Sequence, residues 1–379
     1  MNIRLFKPSL GQEELDNIKE VFDSAWIGLG PKVSEFEEAW SRYIGVKTSV
    51  GVNSATAALH LALAAFRFPE GKKVLVPDIT FASTAMAPLY NGLIPVLVDV
   101  DPETLSISLE DLGKKYDRDC VAVIPVHMGG HPVPMDRIMD FAGRKKLKVI
   151  EDCAHCAGGQ YQGKRLGTWG DIGCFSFEEK KCMTTGDGGM ICSDDRDLIA
   201  PLRAQRWVGI DKDTWKRAKR YTDHLSRDSM HWYYEIRQMG YKYNMNDLSA
   251  AIGLAQLKKL DDMNRRRSAS IRRYLNGIRG LNRIKPLLPF DPENCVYWLF
   301  GVRCEKRDAL ILLLKSEGIA TGVHYMPLSM QPLFRPYDTG CRISKRIWQT
   351  FVTLPLHADL TPEEIDFITD ALSAFEKRY

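Results

Sequence analysis

Apolar and polar positions follow two rhythms along this chain. Short apolar runs of strand length occur at Thr48–Val52, Val74–Val76, Pro95–Asp99, Val121–Val126, Val149–Glu151, Cys174–Phe177 and Met190–Cys192. Between them, apolar residues recur at helical spacing over Ser54–Ala65, Ala82–Asn91 and Met135–Lys145. A strand covered on both faces reads as a continuous apolar run, and an amphipathic helix repeats about every 3.6 residues. Their alternation predicts an α/β sheet, mostly parallel, with helices on both faces. Ahead of it, residues 1–30 read as an arm with one amphipathic helix, Gly11 to Ala25.

The rhythm changes after Arg206. Residues 207–240 are polar and rich in Trp, Tyr, Arg and Lys, and read as a long loop or short helices. A long helical pattern follows from Asn246 to about Gly277, carried by Leu248, Ala251, Ile252, Ala255, Leu257 and Leu260. Beyond it come a strand over Tyr297–Gly301, a helix over Arg307–Glu317, and a last helix opening at Thr361-Pro-Glu-Glu364. Thr361 suits an N-cap, with proline at the first helical position. We therefore expect an arm and a large domain over 1–260 and a smaller C-terminal α/β domain over 261–379.

Composition narrows the class. The 379 residues are 45% hydrophobic and 26% charged, an ordinary globular balance, and the net charge is +4. That excess is too small to argue for nucleic acid or a membrane surface. No stretch approaches the roughly 18 uncharged apolar residues of a membrane span, and the N-terminus lacks a signal-peptide apolar region. Nine cysteines at irregular spacing, several in apolar runs, read as reduced thiols of a cytoplasmic protein. Cys153-Ala-His-Cys156 has no second Cys/His pair at zinc spacing, so no metal is expected.

Two apolar runs end on groups that do chemistry. Lys148-Val-Ile-Glu-Asp152 ends on a carboxylate, and the run ending at Phe177 is followed within a turn by Lys181 and a glycine-rich loop, Thr184-Thr-Gly-Asp-Gly-Gly189. An acid at one strand end and an amine just past another form the layout that holds pyridoxal phosphate. The amine forms a Schiff base with the cofactor aldehyde, and the acid keeps the pyridine nitrogen protonated. Taken alone, Lys180-Lys181 after two glutamates also reads as a solvated charged turn. A third feature is Gly51-Val-Asn-Ser-Ala-Thr-Ala57, small and hydroxyl residues between a strand and a helix, which read equally as an N-cap or a phosphate cradle.

From about Gly28 to about Leu372 the chain resembles the DegT/DnrJ/EryC1/StrS aminotransferases, sugar aminotransferases of fold-type I. The resemblance rests on the strand ending Glu151-Asp152, on Phe175-Ser-Phe-x-x-x-Lys181-x-x-Thr-Thr-Gly-Asp-Gly-Gly189, and on Gly240-Tyr-x-Tyr-x-Met245. It singles out Lys181 over Lys180: three residues separate Lys181 from Phe177, and two separate it from Thr184. It implies pyridoxal 5'-phosphate (PLP) as cofactor, passing through pyridoxamine 5'-phosphate (PMP). Lys181 and Asp152 inherit the catalytic roles. Ser54, Ala55, Thr56 and Ser176 inherit the cofactor phosphate, Phe81 the stacking on the pyridine ring, and His155 the ring hydroxyl. Lys242 and Asn244 match the segment that reaches the phosphate of a neighbouring subunit, with cation and amide exchanged relative to the common Gly-x-Asn-x-Arg-Met. That implies a homodimer with shared sites.

The family resemblance also sets the substrate expectation, a keto-sugar carried on a nucleotide, with L-glutamate as donor. Candidate contacts are the turn at Gly28, the loop Val126–His131 with His127, and the Gly322–Tyr325 stretch with His324 and Tyr325. The Trp- and Arg-rich 207–240 segment is a candidate for a diphosphate or base. The alternatives are a cyclitol or free keto-sugar acceptor, and a regulatory homologue that has lost turnover. Such a homologue would be marked by loss of Lys181, Asp152 or the cradle, all of which are present.

Overall fold

The computed structural model describes residues 2–211 and 234–378. Two helices lead in, α1 (Gln12–Ser24) and α2 (Pro31–Ile44). A seven-stranded sheet follows, built in chain order from β1 (Thr48–Val52), β2 (Lys73–Pro77), β3 (Ile94–Val98), β4 (Cys120–Val123), β5 (Lys148–Asp152), β8 (Ile172–Ser176) and β9 (Gly189–Ser193). A two-stranded hairpin, β6 (Gln160–Tyr161) and β7 (Lys164–Arg165), sits between β5 and β8. The order across the sheet is β1-β9-β8-β5-β4-β2-β3, and β9 alone runs against its neighbours.

The connecting helices are α3 (Ala55–Phe66), α4 (Ser83–Tyr90), α5 (Leu109–Lys115), α6 (Met135–Lys145) and α7 (Arg196–Gln205). The sequence reading passed over α2, α5 and α7. For α2 the signal was present: Gly30 precedes a proline at the first helical position, where a missing N–H costs nothing. Within α3 every residue from Ala57 to Leu63 is buried, so it is the central helix packed on the sheet. The sheet interior is apolar on both faces, as the runs implied: Val74, Leu75, Leu97, Val123, Ile150 and Phe175 are all closed to solvent. In an open sheet of this kind the ligand crevice lies beyond the C-terminal strand ends, where β5 delivers Asp152.

The long helix spans Asp247–Gly277, with the Asn246 side chain accepting from the Ser249 N–H. It runs unbroken across residue 260, so that expected boundary falls inside a helix. A second core gathers Ile271, Tyr274, Phe300, Val302, Leu310, Leu354, Ile368 and Phe375, and it also takes in Ile3. The N-terminal arm is pinned there by Ile3 N–H to the Gly318 carbonyl and Ala320 N–H to the Ile3 carbonyl. The first residues of the arm expected with the large domain thus pack on the C-terminal core, while α1 lies along the first half of the long helix. Strand Phe300–Arg303 pairs with Phe351–Leu354, three residues beyond the expected start at Tyr297. The Trp- and Arg-rich stretch expected to bind a diphosphate or base falls largely at 212–233, outside the described residues. Among the described residues, no helix is long and apolar enough to cross a membrane.

Candidate active site

Strand pleating decides where the two acids of β5 go. Successive side chains point to opposite faces, so Glu151 and Asp152 part company. Glu151 accepts from the N–H groups of Gly167, Trp169 and Gly170 at 2.7–2.8 Å and faces His127 Nε2 at 3.2 Å. It fastens the turn before β8. Asp152 turns the other way, into a cavity of about 430 Å3 that also holds Lys181, Phe81, His155, Ser54 and Ser176. The Thr84 hydroxyl donates to Asp152 Oδ2 at 2.8 Å and the Ala154 N–H to Oδ1 at 3.1 Å. Burial raises its pKa, against the pull of Thr84, Ala154 and Lys181. A cation placed opposite this carboxylate would restore its charge.

Lys181 sits in the cavity wall, its amine 4.1 Å from the centre of the Trp298 ring. Burial drives the amine pKa down to about 8, although Glu178 and Asp152 pull it up. Above that pH it is a neutral nucleophile. Incorporation of PLP into apoprotein should therefore speed up as pH climbs to about 8 and then level off. A rate still climbing steeply toward the ordinary lysine value of about 10.4 would contradict this. Lys180 differs: its side chain is 52% exposed and pairs with Glu178 at 3.7 Å.

One end of the cavity is made by the start of α3. Ser54 caps it, accepting from the Ala57 N–H at 3.1 Å, while Ala58 N–H bonds the Ser54 carbonyl. The N–H groups of Ala55 and Thr56 remain for an anion at the positive end of the helix. The Thr56 hydroxyl meets that of Ser83 at 2.6 Å. Gly189 lets β9 approach this turn, since a Cβ there would lie 2.6 Å from the Ser54 carbonyl carbon. Phe81, 56% exposed, offers a bare ring face 5.8 Å from that of Tyr325.

His155 is buried and stacked on Trp298 at 3.8 Å, with its Nε2 3.4 Å from the Tyr325 hydroxyl. Its Nδ1 is buried without a protein partner. Burial first, then the Lys181 charge, hold its pKa far below the usual value, so the ring is neutral. A neutral imidazole with one unpaired nitrogen is ready to bond a ligand oxygen. His324 also faces the cavity, bonded to the Thr353 hydroxyl at 2.9 Å, with its pKa lowered by burial to about 4.

Several expected residues lie elsewhere. His127 is closed to solvent and spent on the Val133 N–H and Glu151. Its loop docks the 296–298 segment instead: Trp298 N–H bonds the Gly129 carbonyl, and a Cβ on Gly130, whose φ is +93°, would meet the Val296 carbonyl. Gly28 is exposed and its carbonyl takes the Asp247 N–H. Lys242 and Asn244 do not line this cavity; the Lys242 amine lies over the Trp207 ring and the Asn244 amide bonds the Met245 carbonyl. Cys153 and Cys156 meet His127 within 4.8 Å, a proximity the spacing did not reveal. Both His127 nitrogens are engaged and burial pushes both thiols up, so the cluster is hydrogen-bonded core.

Two aromatic residues of the cavity, Phe6 and Trp298, belong to none of the motifs in the sequence. Phe6 comes from the arm and stacks on Trp298 at 5.1 Å. Trp298 is fixed by its indole Nε1–H, which donates to the Lys180 carbonyl at 2.8 Å. An amine, an acid, a neutral imidazole, an anion cradle and an exposed aromatic face thus surround one cavity, and this set fits PLP.

The model of the DegT/DnrJ/EryC1/StrS aminotransferase family matches residues 8–373. The chain belongs to this family. It is 34% identical to the spore coat polysaccharide biosynthesis protein SpsC of Bacillus subtilis, covering 96% of this chain and 95% of that one. DesV of S. venezuelae superposes with a TM-score of 0.87 at 30% identity, covering 97% of this chain and 95% of that one. The Spr1654 protein of Streptococcus pneumoniae, solved in PLP and PMP forms, gives 0.90 at 27% identity, with 100% of this chain and 99% and 98% of those chains covered. The protein is a PLP-dependent aminotransferase of the sugar-aminotransferase family, with PMP as the cofactor's other form.

Proposed function

We propose that the enzyme moves an amino group from L-glutamate to a nucleotide-linked keto-sugar, and that it works as a homodimer with shared sites. The observation carrying this reading is the cavity itself. Lys181 and Asp152 share it with a rim of hydrogen-bonding groups, Glu178, Lys180, His324 and Tyr325, suited to hydroxyls. The likeness to a polysaccharide-biosynthesis protein supports a sugar acceptor. Nine unpaired, buried cysteines support a reducing, cytoplasmic setting.

Bound PLP supplies an electron sink for the carbanion left when an amine substrate loses its proton. Lys181 has two tasks. It would hold the cofactor, and its amine, neutral when free, would take and return the proton on the substrate carbon. Asp152 would place negative charge at the ring nitrogen. Thr84 and the Ala154 N–H hold the carboxylate still. Ser54, with the Ala55 and Thr56 N–H groups, would hold the phosphate.

Glutamate should bleach the yellow enzyme and release 2-oxoglutarate, and a nucleotide keto-sugar should restore the colour. No change with either glutamate or glutamine would refute the donor assignment. Recovery with free inososes but not with nucleotide keto-sugars would replace the acceptor with a cyclitol.

The shared site draws support from Lys242 and Asn244, which do not line their own cavity, and from the exposure of the apolar Val208, Ile236 and Met239. Mixing inactive Lys181→Ala with a variant changed at both Lys242 and Asn244 should return part of the activity. Some mixed dimers would hold one site with both halves intact. No recovery after verified subunit exchange would rule out sharing.

A further inference from the structure

Two buried carboxylates at neighbouring strand ends, Asp78 after β2 and Asp99 after β3, converge on one serine. The Ser344 hydroxyl lies 2.7 Å from Asp78 Oδ2 and 2.8 Å from Asp99 Oδ1. A hydroxyl carries one proton and can donate to only one of them. The other short contact would then set lone pairs against lone pairs, unless one carboxyl carries a proton.

The surrounding donors show which one does. Asp99 Oδ1 already accepts from the N–H groups of Val100 and Ser344, and Oδ2 from that of Ile343, at 2.8–2.9 Å. Three N–H donors stabilise an anion there. Asp78 receives one N–H, from Ser329 at 2.7 Å, and the Ser329 hydroxyl at 2.9 Å. Nearby cations do not neutralise Asp78. Lys345 is paired with Asp338 at 2.6 Å and Lys115 with Asp111 at 2.6 Å, while the Cys341 thiol beside them is held protonated by burial. The pKa directions agree: burial raises Asp78, and at Asp99 the burial effect is outweighed by the N–H bonds.

We propose that Asp78 and Asp99 share one proton through Ser344, and that Asp78, the protonated member, is a positioning residue for the cofactor cavity. Its chain neighbours explain how. Phe81 lies three residues after Asp78. Tyr325 lies four before Ser329, and the Leu328 N–H bonds the Asp78 carbonyl at 2.9 Å. The clamp thereby sets the 5.8 Å gap between the Phe81 and Tyr325 rings across the cavity. Asp78-OH donates to Ser344, which donates to Asp99.

Asn at position 78 reproduces a neutral acid: its NH2 donates to Ser344, its oxygen accepts the Ser329 N–H, and the Ser329 hydroxyl turns to accept. Asn at position 99 must present an NH2 to backbone N–H groups. Asp78→Asn should therefore bind PLP almost as tightly as the native protein. Asp78→Ala and Asp99→Asn should each weaken PLP binding about tenfold, the scale of an unpaired buried polar group. Asp78→Asn as damaging as Asp78→Ala, or Asp99→Asn as harmless as Asp78→Asn, overturns the proton assignment. Loss of melting temperature in Asp78→Ala with PLP affinity intact overturns the positioning role. Should Asp78→Ala fail to fold, the infrared difference spectrum of native protein minus Asp78→Asn at neutral pH decides. It should contain a protonated-carboxyl band, and a flat spectrum overturns the proposal.

Discussion

Lys181→Ala should lower amino transfer by at least about a thousandfold, while Lys180→Ala should keep most of it. The two neighbours differ in everything the reaction uses. The Lys181 amine lies within the cavity against the Trp298 ring, and burial lowers its pKa to about 8. Lys180 is half exposed and tied to Glu178. In the proposed mechanism, replacing Lys181 removes both the covalent holder and the proton carrier, so the losses are not additive parts. The variant should still bind PMP, which needs the cradle and Asp152 but no amine. Steady-state turnover and PMP binding, measured side by side, check this. A Lys181→Ala enzyme with a tenth of native turnover would refute it.

Asp152→Asn should slow the chemical step by roughly a hundredfold or more while leaving the fold intact. The side chain keeps its size, and the Thr84 hydroxyl can rotate to serve an amide. What disappears is the negative charge proposed to lie opposite the ring nitrogen, and with it the stability of the protonated ring that accepts electrons. The effect should appear in single-turnover rates with glutamate more than in the affinity for PLP. A near-native single-turnover rate would show that the carboxylate is not opposite the ring.

The parts of this molecule that the sequence exposes are those governed by local rules. Strands β2 to β5 are buried on both faces, so Val74–Val76 and Val149–Glu151 announce themselves as apolar runs, and Ser54 caps its helix through its own near neighbours. Motif spacing singles out Lys181 and Asp152, and the fold brings both into one cavity. It does not single out Trp298, because nothing local distinguishes a tryptophan that stacks on His155 from one in a strand. Its segment is held by Gly129 and Gly130, and strand pairing starts only at Phe300. The reverse error concerns His127: a histidine in a glycine-rich loop looks like a ligand contact, yet Glu151 and Val133 consume both its nitrogens. Asp78 and Ser344 lie 266 residues apart, and no local pattern joins them.

The most direct test is reduction of the PLP-loaded enzyme with borohydride, followed by peptide mapping. The amine that bonds the cofactor becomes permanently labelled. The label should fall on Lys181 alone, and prior treatment with glutamate should prevent it. A label on Lys180 would contradict the assignment of the reacting amine to Lys181, and a label on neither lysine would contradict the placement of the cofactor in this cavity.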